Sequence, residues 1–75
     1  MSLNNKRVKM KRRYKINEAL KILKDDGWWI ERVTGDHRQL RHDIKKGTVT
    51  VAGKLTETLK PKTQKSISQQ SGVEL

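Results

Sequence analysis

Two histidines, His37 and His42, and eight carboxylates are the groups of this 75-residue chain that could move a proton near neutral pH. There is no cysteine, so thiolate nucleophiles, thiolate zinc sites and disulfides are all excluded. No His or acid spacing resembles a metal-ligand set, and neither a Gly-x-Ser-x-Gly elbow nor a Gly-x-x-x-x-Gly-Lys-Ser/Thr phosphate loop is present. The chemistry left is acid–base work at one imidazole. His37 follows the Gly35-Asp36 pair and has Arg32, Arg38 and Arg41 near it in sequence, with Lys45 a little further on. Imidazole titrates near ~6.5 and can take the 2′-hydroxyl proton of RNA or return one to the leaving 5′-oxygen. Guanidinium groups would hold the charged phosphorus centre, and RNA needs no metal for that reaction. On residues alone a plainer reading also stands and is the commoner case: His37 is a solvated surface residue.

The elements that would position these groups are marked by glycine. Ile16, Ala19, Leu20 and Leu23 recur at i, i+3, i+4 and i+7 and predict an amphipathic helix, with Asn17 as candidate cap and Gly27 just past its end. Trp28 to Thr34 is aromatic and β-branched, too short for a typical helix, and reads as a strand. Gly35-Asp36 turns the chain. In the next strand His37, Gln39 and Arg41 share one face, and Arg38, Leu40 and His42 the other. Leu40 marks the buried side, which makes His42 a packing residue. Thr48 to Val51 alternates as a third strand, and Pro61 opens a second helix that runs to about Ser71 ahead of Gly72. Leu59, Thr63, Ile67 and Gln70 are the expected side of that helix, only weakly apolar. The order predicts an α+β domain: a three-stranded antiparallel sheet with two helices on one face.

Charge divides the chain unevenly. Lys and Arg number 18 against 8 Asp and Glu, for a net charge of +10. Seven of these bases lie in residues 1 to 15, where there is no acid. Residues 1–13 read as a disordered basic arm that would raise salt-sensitive attraction to phosphate, and 14–75 as one small domain. Such a balance points to a polyanionic partner, most commonly nucleic acid. The longest apolar run, Trp28-Trp29-Ile30, is far short of a spanning helix, so no membrane role is expected.

Three stretches carry a family likeness: Leu20-Lys21-Ile22-Leu23-Lys24-Asp25-Asp26-Gly27-Trp28, Gly35-Asp36-His37-Arg38-Gln39-Leu40-Arg41-His42, and Gly47-Thr48-Val49-Thr50-Val51-Ala52-Gly53-Lys54. With Arg32 between the first two, and Leu59, Thr63, Ser66, Ile67, Gln70 and Gly72 behind them, they resemble a HicA toxin over about residues 16 to 73. The resemblance implies a double-stranded-RNA-binding-like α-β-β-β-α fold. It also implies a cytoplasmic, metal- and cofactor-independent endoribonuclease acting on mRNA as the toxin of a type II toxin–antitoxin pair, with a HicB-like antitoxin that covers the histidine. His37 takes the catalytic position. Arg32, Arg38, Gln39, Arg41 and Lys45 are candidate RNA contacts, the cations by charge and proximity. The alternative is a small basic RNA-binding module without catalysis.

The chain departs from the pattern at three places. Asp36 and Arg38 stand where many members have Ser and a second His, and Ala52-Gly53-Lys54 replaces a histidine-bearing loop, which leaves a one-histidine mechanism. The second helix carries Gln64, Ser68 and Ser71 where apolar or small residues are common, expected either to lower its stability or to mark a partner surface.

Overall fold

The computed structural model describes residues 12–75, so the arm expected over residues 1–13 lies, but for its last two residues, outside the described residues. Those two are tied to the body: the Arg12 guanidinium lies 3.0 Å from the Glu18 carboxylate and over the Tyr14 ring, and Arg13 Nη2 donates to the Leu59 carbonyl at 2.6 Å. The elements run α1 (Ile16–Asp25), β1 (Trp28–Thr34), β2 (His37–His42), β3 (Val49–Ala52) and α2 (Pro61–Ser71). The strands form one antiparallel sheet in the order β1-β2-β3, and the expected α+β architecture is present. Among the described residues no helix is long and apolar enough to cross a membrane.

The stripe Ile16, Ala19, Leu20 and Leu23 is buried as its spacing requires and packs with Trp28, Leu40, Val49, Val51, Leu59 and Ile67. The start of α1 differs from expectation. Lys15, not Asn17, is the capping residue, and its own N–H donates to Glu18 Oε1 at 2.9 Å. The next two free amides are satisfied from far along the chain, Ile16 N–H by the Glu57 carbonyl and Asn17 N–H by the Leu55 carbonyl, each at 2.9 Å. A helix start satisfied by a distant loop needs no capping side chain of its own.

α2 is also packed differently from its expected side. Thr63 and Gln70 are exposed, while Gln64, Ile67 and Ser71 are buried. Gln64, with no exposed surface, accepts the Tyr14 N–H at 3.2 Å and donates to the Arg12 carbonyl at 2.9 Å. Ser68 Oγ donates to the Val73 carbonyl at 2.7 Å. The buried polar groups are hydrogen-bonded, so Gln64 and Ser71 belong to the interior and do not form an exposed partner surface.

At the other end of α1 lies a corner built around His42. Its Nδ1 accepts the N–H groups of Ile44 and Lys45, which places the ring proton on Nε2, donated to the Asp26 carbonyl at 2.7 Å. Trp28 meets the imidazole edge-on, with centroids 5.1 Å apart. Gly27 passes so close that a Cβ there would come within 2.7 Å of His42 Nε2, and its φ of +109° is one that side chains rarely adopt. The Asp-Gly-Trp run is thus explained as packing. Lys45 Nζ completes the corner, joining Asp26 Oδ2 at 2.7 Å to the Ser71 carbonyl at 3.1 Å.

Two carboxylates are held below their ordinary pKa. Asp26 is lowered chiefly by the hydrogen bond from Lys45, and Glu18 by the Lys15 N–H with help from Arg12. The buried Trp28 indole N–H has no hydrogen bond of normal geometry, and its effect on Asp26 is the smallest of the contributions. A carboxyl that is harder to protonate folded than unfolded stabilises the fold above its unfolded value, and that contribution is lost as the pH falls through the lowered one. Stability is therefore expected to fall as the pH drops through and below the ordinary carboxylate range, and to fall less steeply in Lys45→Met. Urea unfolding at stepped pH measures this; equal slopes in the two proteins would rule it out.

Candidate functional site

Register decides which side chains share a face, because directly paired residues of neighbouring strands point the same way. Trp28 pairs with His42, Ile30 with Leu40, and Leu40 with Val49; this is the helix-covered face. The opposite, open face carries Trp29 paired with Arg41, Arg32 paired with Gln39 and Thr50, and Thr34 paired with His37. Strict alternation along β1 would have put Arg32 on the same side as Trp28 and Ile30. The pairing shifts between Ile30 and Arg32, so Glu31 is an extra residue, and this bulge turns Arg32 and Thr34 onto the open face.

His37 is the first residue of β2, with its side chain 61% exposed. Its Nδ1 lies 3.1 Å from Asp36 Oδ1. A carboxylate only accepts, so this contact assigns a proton to Nδ1, and Nε2 has no hydrogen-bond partner among the described residues. The backbone beneath is locked. The Asp36 carbonyl accepts from Gly53 N–H at 3.1 Å and from Arg38 Nη1 at 3.1 Å, and the same Arg38 nitrogen reaches the Gly53 carbonyl at 3.0 Å. Gly53 is itself confined: a Cβ there would come within 2.5 Å of Ile16 Cδ1, and its φ is +124°.

The sequence candidates therefore separate. His37, Gln39, Arg41 and Arg32 lie together on the open face. Arg38 projects from the other side of β2, and its guanidinium fastens the His37 turn to the end of β3. Lys45 follows the far end of β2 and is held by Asp26 and Ser71. Arg41 is partly neutralised by Glu31 at 3.4 Å, whereas Arg32 makes no ion pair among the described residues. Among those residues no three His, Asp or Glu side chains are grouped to hold a metal. Two further residues matter at this site. Asp36, expected as a turn residue and as a departure from the family pattern, contacts the His37 imidazole, and an acid next to a histidine is the signal for it. Trp29 was read as strand filler, though adjacent strand residues point to opposite faces, so one of two neighbouring tryptophans had to face out.

The molecule is thus a small two-layer α+β domain whose uncovered sheet face presents one histidine among arginines. Residues 16–73 match the model of the HicA toxin of bacterial toxin–antitoxin systems. The chain belongs to the HicA toxin family, a family of toxins that act in pairs with an antitoxin. No curated protein matches it.

Proposed function

We propose that this chain is a metal-independent endoribonuclease that cleaves mRNA as the toxin of its pair, in the cytoplasm, and that a HicB-like antitoxin neutralises it by covering the open sheet face. The observation that carries this reading is His37 on the open face, with Nδ1 against Asp36 and no partner on Nε2 among the described residues. His37 Nε2 takes the proton of a ribose 2′-hydroxyl. The 2′-oxygen attacks the adjacent phosphorus, the bond to the 5′-oxygen breaks, and the imidazolium returns its proton to that leaving oxygen. Arg32 and Arg41 stabilise the extra negative charge on the phosphoryl oxygens, with Gln39 as a neutral donor between them. Arg38 and Lys45 serve by holding the turn and the far corner.

The chemistry predicts its own products. RNA incubated with the purified protein in excess chelator is expected to yield fragments with 2′,3′-cyclic phosphate and 5′-hydroxyl ends, read by end-labelling before and after phosphatase treatment. Intact RNA that is nonetheless bound would instead favour the non-catalytic module, and cleavage that stops on chelation would refute the metal-free step.

A further inference from the structure

Trp29 is a large exposed aromatic side chain, 44% accessible, on the same open face as His37. Its indole N–H donates to Asp43 Oδ1 at 3.2 Å, which holds one edge of the ring and fixes its attitude. Its cross-strand partner is Arg41. Arg41 lies four strand steps along β2 from His37, a span of about 13 Å at strand rise. An indole of fixed orientation, flanked by guanidinium groups on the polar face of the sheet, has the composition of a platform on which a nucleobase stacks while cations hold the backbone.

On the reading of His37 as the RNA-cleaving base, we infer that Trp29 is a base-stacking residue for single-stranded RNA. It receives a base of the strand a short distance from the phosphate that lies at His37. Single strands are favoured over duplex because a paired base offers no free face to a ring at the sheet surface. Stacking is indifferent to base identity, so Trp29 contributes affinity and register along the strand more than sequence preference.

The test uses a short single-stranded 2′-O-methyl oligonucleotide, which lacks the nucleophile and stays uncut. Trp29→Ala is expected to weaken its binding about 5- to 100-fold, and Trp29→Phe to keep most of it. The slope of log affinity against log salt should be unchanged in both, whereas Arg32→Ala should reduce that slope by about 1. Binding by Trp29→Ala as tight as wild type would overturn the inference, as would a loss of affinity accompanied by a reduced salt slope. So would a variant impaired only in antitoxin binding. The two readings fail separately: a His37→Ala protein that still cleaves sinks the catalytic assignment and leaves stacking intact, and wild type that binds no RNA sinks both.

Discussion

His37→Ala is expected to slow RNA cleavage by about 10²- to 10⁴-fold, the usual contribution of a positioned acid–base group. The fold should be untouched, because the side chain is mostly exposed and its one side-chain hydrogen bond among the described residues, to Asp36, is on the surface. In cells, induced wild type should arrest growth and deplete mRNA, and induced His37→Ala should do neither at equal protein level. His37→Gln sharpens the comparison: it keeps a polar group at the site but has no titratable nitrogen. Equal decay of RNA by wild type and both variants would remove His37 from the reaction. Because Arg32 and Gln39 remain, the inactive variants should still bind uncleavable RNA, which separates catalysis from attraction.

The largest expected loss of stability comes from Trp28→Ala. Trp28 is 2% exposed and packs against both the core and the His42 ring. Removing such a side chain costs about 3 to 5 kcal/mol. A body of some sixty residues has a total stability of roughly 3 to 9 kcal/mol, so the variant should be substantially unfolded at physiological temperature. Trp28→Phe is the control. The indole N–H makes no hydrogen bond of normal geometry among the described residues, so the smaller ring should cost much less. Far-ultraviolet circular dichroism followed with temperature distinguishes the two; a Trp28→Ala protein melting within a few degrees of wild type would show that the corner is not structural.

Much of the fold was readable because local signals agree with the final packing. Ile16, Ala19, Leu20 and Leu23 form a stripe, Leu40 sets the phase of β2, and Gly27, Gly35 and Gly72 stand where the chain changes direction. What escaped depends on groups distant in sequence. The Glu31 bulge leaves little local trace, since Ile30 and Val33 allow either phase of β1, and only pairing with β2 brings Arg32 to the open face. The buried side of α2 was misjudged because apolarity alone ranks Gln64 and Ser71 as outward, whereas hydrogen bonds to Tyr14 and Arg12 make Gln64 an interior residue. Arg38 and Lys45 are cations whose proximity in sequence suggested phosphate contact. In the structure backbone carbonyls and Asp26 hold their charged ends. His42 is legible as a packing residue from its phase with Leu40, and the structure adds the backbone groups of Asp26, Ile44 and Lys45 that hold its ring.

The way α1 begins also sets the order of events during synthesis. The amides of Ile16 and Asn17 wait for the carbonyls of Glu57 and Leu55, and Tyr14 N–H waits for Gln64, separated by 50 residues. Closing so long a loop in so short a chain carries a large entropic penalty that only the assembled core offsets. The histidine turn depends on the same late material, because its carbonyl and arginine are fastened to Gly53. A ribosome that has made only the first half of this protein has therefore not yet made an organised site, and the whole face comes into being in one step, after nearly all of the chain has emerged.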